Sequence, residues 1–317
     1  MSTNTNAADF SHYSVLLEET VSALCVKPDG IYVDLTLGGG GHSEKIAEKL
    51  TTGRLICIDA DTTAIEASKQ RLARFGDKIT FVHSFNDEID SVLDGLDIDL
   101  IDGAVADLGV SSYQLDNADR GFSYMHDAPL DMRMDESAAI TAYDIVNGKS
   151  EEELKRILYI YGEEEFAPRI AAAICKRRAE SDIKTTAELS DIIKSAIPAK
   201  ARVGGHHPAK RSFQAIRIAV NEELERLPVM LTKVIDRLRS GGIFAVISFH
   251  SLEDRIVKTT FADAARGCTC PPSFPVCVCG NKEKVKILTK KPVLPGDAEL
   301  EENPRSRSAK LRVCRKL

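Results

Sequence analysis

The stretch Ile31-Tyr32-Val33-Asp34-Leu35-Thr36-Leu37-Gly38-Gly39-Gly40-Gly41-His42-Ser43 decides how this chain is read. Ile31 to Leu37 is apolar and β-prone, four glycines follow at once, and Ser43 to Leu50 then carries apolar residues at helical spacing. A second strand-like run, Arg54 to Asp59, completes a β-loop-α-β unit. Glycines in this place let a ligand approach the backbone with no Cβ in the way, and the helix start behind them offers N–H groups. The usual occupant carries a nucleoside or a phosphate.

Outward from this unit the alternation continues. The spacing predicts a helix over Ile65 to Phe75, a strand over Ile79 to His83, a helix over Glu88 to Leu96 and a fourth strand over Ile101 to Leu108. That order implies a doubly wound α/β sheet, parallel and covered on both faces. A loop, Gly109 to Asp135, comes next. Helices are then expected near Ala142 to Val146, Glu151 to Tyr161, Glu165 to Arg178, Thr186 to Ala196 and Pro208 to Arg239. The doubly wound pattern resumes at Ile243 to Ser248, after a Gly241-Gly242 turn, with a helix from Ser251 to about Ala265. Val285 to Leu288 and Ala309 to Cys314 read as two final strands. A crossover does not need so much helix between a fourth and a fifth strand. The expected organisation is therefore a Rossmann-like sheet domain made of residues 1–112 and 213–317, with an all-helical substrate-recognition domain, residues 113–212, inserted in it.

Composition bounds the function. The chain has 317 residues, 43% hydrophobic and 28% charged, enough for one large core and a smaller second one. No apolar run approaches the roughly 20 residues that cross a bilayer, and Met1 to Ser11 is polar, so the expectation is a cytoplasmic protein with no membrane partner. A net charge of −6 excludes a uniformly basic nucleic-acid surface. Two stretches nonetheless carry basic residues and no acidic one: Pro198 to Arg217, with Lys200, Arg202, Lys210, Arg211 and Arg217, and Arg305 to Lys316. They read either as solvated surface or as local phosphate contacts.

Four cysteines stand singly, while Cys268, Cys270, Cys277 and Cys279 crowd into one segment, which is no secreted disulfide framework. Four thiolates could close a tetrahedral structural zinc site, although the C-x-C spacing is tighter than that of common fingers. Thiols or a redox-labile pair are the alternatives.

A dinucleotide fingerprint, G-x-G-x-x-G, started at Gly38 and Gly40 would end on Ser43, which disfavours a nicotinamide oxidoreductase. Asp34 lies four residues before Gly38 and six before Gly40, the spacing by which methyltransferases of this sheet class hold the methionine half of S-adenosylmethionine. Thr36 stands where their first glycine usually does. Asp59, 21 residues beyond Gly38, suits ribose hydroxyls, and Phe85, after the third strand, suits an adenine face. Asp107 follows the fourth strand at the ligand-binding edge. Singly, Phe85 could be core and Asp59 a strand-end cap; as an ordered set they favour the cofactor.

Longer runs are more specific. His12-Tyr13-Ser14-Val15-Leu16-Leu17, Gly39-Gly40-Gly41-His42-Ser43, Asp107-Leu108-Gly109-Val110-Ser111-Ser112, Arg120-Gly121-Phe122-Ser123 and Pro129-Leu130-Asp131-Met132-Arg133-Met134-Asp135 closely resemble motifs of the RsmH (MraW) family. So do Tyr161-Gly162-Glu163-Glu164, Arg211-Ser212-Phe213-Gln214-Ala215, Ile247 to Arg255 and Asn303-Pro304-Arg305-Ser306-Arg307-Ser308, all in the family's order. The resemblance implies a methyltransferase that modifies the exocyclic N4 of a cytidine in the decoding centre of 16S ribosomal RNA, within the small ribosomal subunit. It also implies cofactor contacts at Gly40, Gly41, His42, Asp59, Phe85, Asp107 and Gln114. His42 and Gln114 come from the resemblance alone; read unaided, they are a helix-start residue and a polar loop residue.

The N4 lone pair of cytosine is delocalised into the ring, so transfer needs acceptors that let the amine pyramidalise. The usual Asp/Asn-Pro-Pro-aromatic element is absent, and Asp107-Leu108-Gly109-Val110 holds its place. Asp107, or a carbonyl of Leu108 to Val110, is the expected acceptor, assisted by Ser111 and Ser112. His250 reads equally as a general base or a strand-end residue. A splayed-out base would meet Phe122, Tyr124, Arg133, Arg211, Phe213 and Arg255, with core packing the alternative for Phe213. A non-catalytic RNA-binding assembly factor is the competing function, and a homodimer stays open.

Overall fold

The computed structural model describes residues 14–202, 207–271, 274, 276 and 278–317. Helix α1 (Leu17–Leu24) precedes β1 (Ile31–Asp34), α2 (Gly41–Lys49), β2 (Arg54–Asp59), α3 (Thr62–Leu72), β3 (Ile79–His83), α4 (Ile89–Gly95) and β4 (Ile101–Asp107). There follow α5 (Ser112–Asp116), α6 (Ala142–Gly148), α7 (Glu151–Gly162), α8 (Ala167–Arg178), α9 (Thr186–Ala196), α10 (Lys210–Asn221) and α11 (Glu223–Arg237). The chain closes with β5 (Leu238–Ser248), α12 (Ser251–Ala264), β6 (Val285–Ile287), α13 (Asp297–Glu302) and β7 (Lys310–Lys316).

The strands form one seven-stranded sheet in the order β3-β2-β1-β4-β5-β7-β6. β3 to β5 are parallel, β7 runs antiparallel to β5, and β6 antiparallel to β7. This is the expected α/β sheet with its two final strands. Strand order reverses between β1 and β4, and a sheet of this kind opens a crevice at that switch point, beyond the carboxyl ends of the strands.

Side chains leave the sheet with the two-residue period of a strand. Val33, Leu35, Ile56, Ile58, Ala104 and Ala106 enter a core with residues of α4, α11 and α12, whereas Tyr32, Leu55, Cys57, Val105, Ala245 and Ile247 enter one with residues of α1, α2 and α3. Each fully buried aliphatic side chain contributes about 1.5–3 kcal/mol. A third cluster, from Phe122 to Val220, joins α6 to α10. Capping boxes start three of these helices: Thr141 with Asp144, Ser150 with Glu153, and Thr185 with Glu188.

Three local expectations change. The long helix over Pro208 to Arg239 is two helices, because Glu222 takes a left-handed conformation (φ 52°) that ends α10 and starts α11. Gly241-Gly242 is no turn before a strand. β5 begins at Leu238, and the glycines lie in a bulge where the register against β4 slips between Ile101 and Gly103. The loop after β4 holds α5 and a 3-10 turn, Ala118–Arg120. Among the described residues, no helix is long and apolar enough to cross a membrane.

Candidate active site

The glycine loop is held from below by buried hydroxyl and carboxyl groups. Asp34, 2% exposed, accepts from Ser43 Oγ at 2.7 Å and from the Thr36 N–H at 3.2 Å. Thr36 Oγ1 in turn accepts the Asp107 N–H at 2.6 Å, tying the end of β1 to the end of β4. The threonine in place of a glycine thus has a structural task. Gly38 (φ 47°) donates its N–H to Asp59 Oδ2 at 2.8 Å, and its carbonyl accepts from Ser68 Oγ at 2.7 Å. Gly41 packs so closely on the N-terminal segment that a Cβ there would lie 1.9 Å from Ser14 Oγ.

Asp34, Asp59 and Asp107 gather around this loop, and each titrates high. Burial pushes Asp34 up to about 6, against hydrogen bonds from Ser43 and Thr36. Burial likewise pushes Asp59 up to about 6, against N–H donors of Asp61 and Gly38, with the charges of Asp61 and Asp34 adding to the rise. Asp107 is raised well above the ordinary carboxylate range by burial and by the charges of Asp34, Glu253 and Glu299. Its Oδ2 lies 3.9 Å from Nδ1 of buried His42, whose Nε2 is 3.1 Å from the Val15 carbonyl; its buried Oδ1 has no hydrogen-bond partner.

The opposite wall is built by capping. Ser111 caps α5 in a reciprocal box with Gln114, and Gln114 Nε2 then donates to Asp61 Oδ2 at 2.9 Å. Asp61, itself the cap of α3, also takes Arg120 Nη1 at 2.8 Å. Phe85 lies under the Arg226 guanidinium, 4.1 Å from its ring centre, and Asp87 and Glu222 hold that arginine in place. His250 caps α12: its Nδ1 accepts the Glu253 N–H, and Glu253 accepts the N–H groups of Phe249 and His250. His250 Nε2 is 3.2 Å from Glu253 Oε1 but off the hydrogen-bond direction, so this buried nitrogen lacks a hydrogen-bond partner. Burial raises the Glu253 carboxyl, yet His250, Arg217 and the Phe249 N–H outweigh it and hold the group below its usual range.

These walls enclose a cleft of about 350 Å³ at the carboxyl edge of the sheet, and Gly38, Gly40, Gly41, His42, Asp59, Phe85, Asp107, Ser111, Gln114 and His250 all line it. Asp34 lies beneath the lining. Ser112 opens α5. A second hollow of about 620 Å³ adjoins the cleft through Lys210, Gln214, Phe249, His250 and Ser308, and carries Arg202, Arg211 and Lys310 opposite Glu163, Glu164 and Glu165. Of the expected substrate-side residues, Arg211 and His250 reach it. Phe122 and Phe213 are buried in the helical cluster, Arg133 is folded back onto Asp131, and Arg255 reaches Glu163 at 3.5 Å. Cys268, Cys270 and Cys279 come together on the surface between α12 and β6, and Cys277 lies outside the described residues.

A sequence model of the MraW methylase family matches residues 9–317. The chain belongs to the MraW methylase family. The ribosomal RNA small subunit methyltransferase H of Clostridium botulinum (strain Kyoto / Type A2) is 56% identical over 310 residues, covering 98% of this chain and all of the relative. The methyltransferase H 2 of Agathobacter rectalis is also 56% identical, over 97% of this chain and 99% of its own. The corresponding protein of Brevibacillus brevis is 53% identical, over 97% and 98%.

Within this family member, sequence reasoning missed Asp61, Arg120, Asn221 and Glu253. Asn221 closes the cleft by accepting the Met134 N–H and donating to the Met132 carbonyl. The Ser111-x-x-Gln114 spacing carried a legible capping signal. Arg120 and Glu253 stood inside resembling runs without a role attached, and Asn221 carried no signal.

Proposed function

We propose that this chain is an S-adenosylmethionine-dependent RNA methyltransferase acting on the exocyclic N4 of a cytidine in the decoding centre of 16S ribosomal RNA. The names of its relatives support small-subunit ribosomal RNA as the substrate, and the cytidine and its position rest on the motif resemblance. Buried Asp34 and half-buried Asp59 and Asp107 crowd negative charge around the loop, so the site suits a ligand that brings hydroxyl or ammonium donors and a positive centre. A pyrophosphate, the core of a dinucleotide, would be repelled by the same charge, which argues against an oxidoreductase. Bound in the cleft, S-adenosylmethionine would supply an electrophilic methyl group on its sulfonium. Gly40, Gly41, His42, Asp59, Phe85 and Gln114 are the residues placed to hold it.

One observation carries the acceptor side: Asp107 Oδ1 is buried with no hydrogen-bond partner, His250 Nε2 has only the Glu253 carboxylate 3.2 Å away, and both residues line this cleft. β4 and β5 are neighbouring parallel strands, with Asp107 opposite Ile247, so both residues stand at one sheet edge. His250 Nδ1 already accepts an N–H, which leaves the proton of the neutral ring on Nε2. An acceptor and a donor lining one cleft suit cytosine's N4 amine and N3. Asp107 would draw on an amine N–H while His250 fixes the ring, and Arg202, Lys210, Arg211 and Lys310, which share the adjoining hollow with Glu163, Glu164 and Glu165, would take the flanking phosphates.

The test is incubation with methyl-labelled S-adenosylmethionine and small subunits from cells lacking the activity, followed by nucleoside mass spectrometry. N4-methylcytidine at one decoding-centre position is expected. Label on another nucleoside, or none despite cofactor binding, would overturn the assignment.

A further inference from the structure

We propose that Cys268, Cys270 and Cys279 hold a structural zinc ion, at a site separate from the methyl-transfer cleft. Their three Sγ atoms lie within 4.8 Å of one another, although Cys279 is nine residues beyond Cys270. Cys268 and Cys279 sulfurs are 3.7 Å apart. Zn–S bonds of about 2.3 Å in a tetrahedron set neighbouring sulfurs about 3.8 Å apart, whereas a disulfide would need about 2.05 Å.

The backbone supplies the second, independent argument. Cys270 donates its N–H to Cys268 Sγ at 3.4 Å; Thr269 and Asn281 donate to Cys279 Sγ at 3.3 and 3.5 Å; Val278 and Cys279 both donate to Cys270 Sγ at 3.3 Å. A neutral thiol is a weak acceptor, so N–H groups converging on clustered sulfurs are the environment of thiolates. Three thiolates this close repel one another unless a cation sits among them. Three thiolate ligands among the described residues favour zinc over calcium or magnesium, which take oxygen ligands.

The loop is closed at its base without the metal. Asn281 Nδ2 bonds the carbonyls of Arg266 and Gly267, and the Lys284 N–H reaches the Ala264 carbonyl at 2.8 Å. Above that closure the segment exposes Phe274, Val276 and Val278. Zinc would order this excursion between α12 and β6, and it is not needed to form the sheet.

Elemental analysis of the full chain, purified from zinc-containing medium without chelator, tests the proposal. About one zinc per chain is expected, falling at least tenfold in Cys270→Ser and in Cys279→Ser but not in Cys25→Ser, which alters the exposed cysteine that ends α1. Cobalt should replace the zinc with a thiolate-to-cobalt charge-transfer band, and chelation should expose the three thiols to alkylation while the far-ultraviolet dichroism holds. A metal-free chain that takes up neither ion, a Cys268–Cys279 disulfide, an iron cluster, or full zinc in both variants would each overturn it.

Discussion

Gln114 Nε2 donates to Asp61 Oδ2 at 2.9 Å, joining the loop after β4 to the start of the helix after β2. Arg120 meets the same oxygen at 2.8 Å and spends its other nitrogen on the carbonyls of Arg133 and Met134. The pair therefore does more than cap a helix: it fixes the wall that faces the glycine loop. Removing Arg120 leaves a buried carboxylate with only neutral donors. We expect Arg120→Met to cost about 3 kcal/mol in urea unfolding, and Gln114→Ala to cost less stability but to weaken cofactor binding. Equal losses in both measurements for both variants would show that the network has no specific link to the cleft.

Gly41 offers a sharper steric test. An added Cβ would come within 1.9 Å of Ser14 Oγ and 3.1 Å of Ser14 Cβ, so Gly41→Ala has to displace the N-terminal segment. That segment includes Val15, whose carbonyl faces His42. Cofactor affinity, read by calorimetry, should fall about tenfold or more, and the double change Gly41→Ala with Ser14→Gly should restore most of it. Failure of the rescue would place the glycine's role on the ligand side of the loop.

The sheet was legible because each strand is a short apolar run and each crossing helix has its own period, from Ile31 to Asp107 and again at Ile247. That Gly38, Asp59, Phe85 and Asp107 line one cleft was legible for the same reason: they end or follow strands, and parallel topology brings strand ends to one edge. What could not be read were bonds set only by tertiary packing. Gln114 and Arg120 meet Asp61 across 53 and 59 residues, with no periodicity to announce it. The break at Glu222 was hidden for another reason, since no glycine marks the left-handed turn. Phe122 and Arg133 read as recognition residues, but a cluster large enough to bury the ring and a neighbouring Asp131 take them out of the cleft, while Phe213 follows its alternative reading as core.

The carboxyl groups under the loop should make cofactor binding depend on pH. Asp34 and Asp59 titrate near 6 in the folded chain against an ordinary 3.8, so between those values the folded state holds more protons than the unfolded one. Their contribution to stability is therefore greatest below pH 3.8 and is lost as pH rises through about 6. A ligand that brings donors and positive charge favours the ionised forms, so its affinity should rise across the same window, with proton release. Thermal melts with and without S-adenosylmethionine should show a ligand-induced shift that grows from pH 4 to 6.5, roughly the span set by these groups, and flattens in Asp34→Asn. A shift independent of pH would mean that neither carboxyl senses the bound cofactor.

His250 and Asp107 can be separated by choosing substitutions that keep the local fold. His250 caps α12 through Nδ1, and asparagine is itself a good cap, so His250→Asn should hold stability to within about 0.5 kcal/mol while removing the Nε2 donor. If that donor fixes the target base, turnover on small subunits should fall about tenfold or more, chiefly through KM for RNA, with cofactor affinity unchanged. If the histidine is only a cap, asparagine will restore normal turnover. Asp107→Asn keeps the shape and one acceptor, and removes the shared charge that Asp34, Glu253 and Glu299 oppose. A loss confined to kcat would assign Asp107 to the amine. An equal loss in cofactor affinity would assign it to the cofactor, and the acceptor for the N4 hydrogen would then be sought among the carbonyls of Leu108 to Val110.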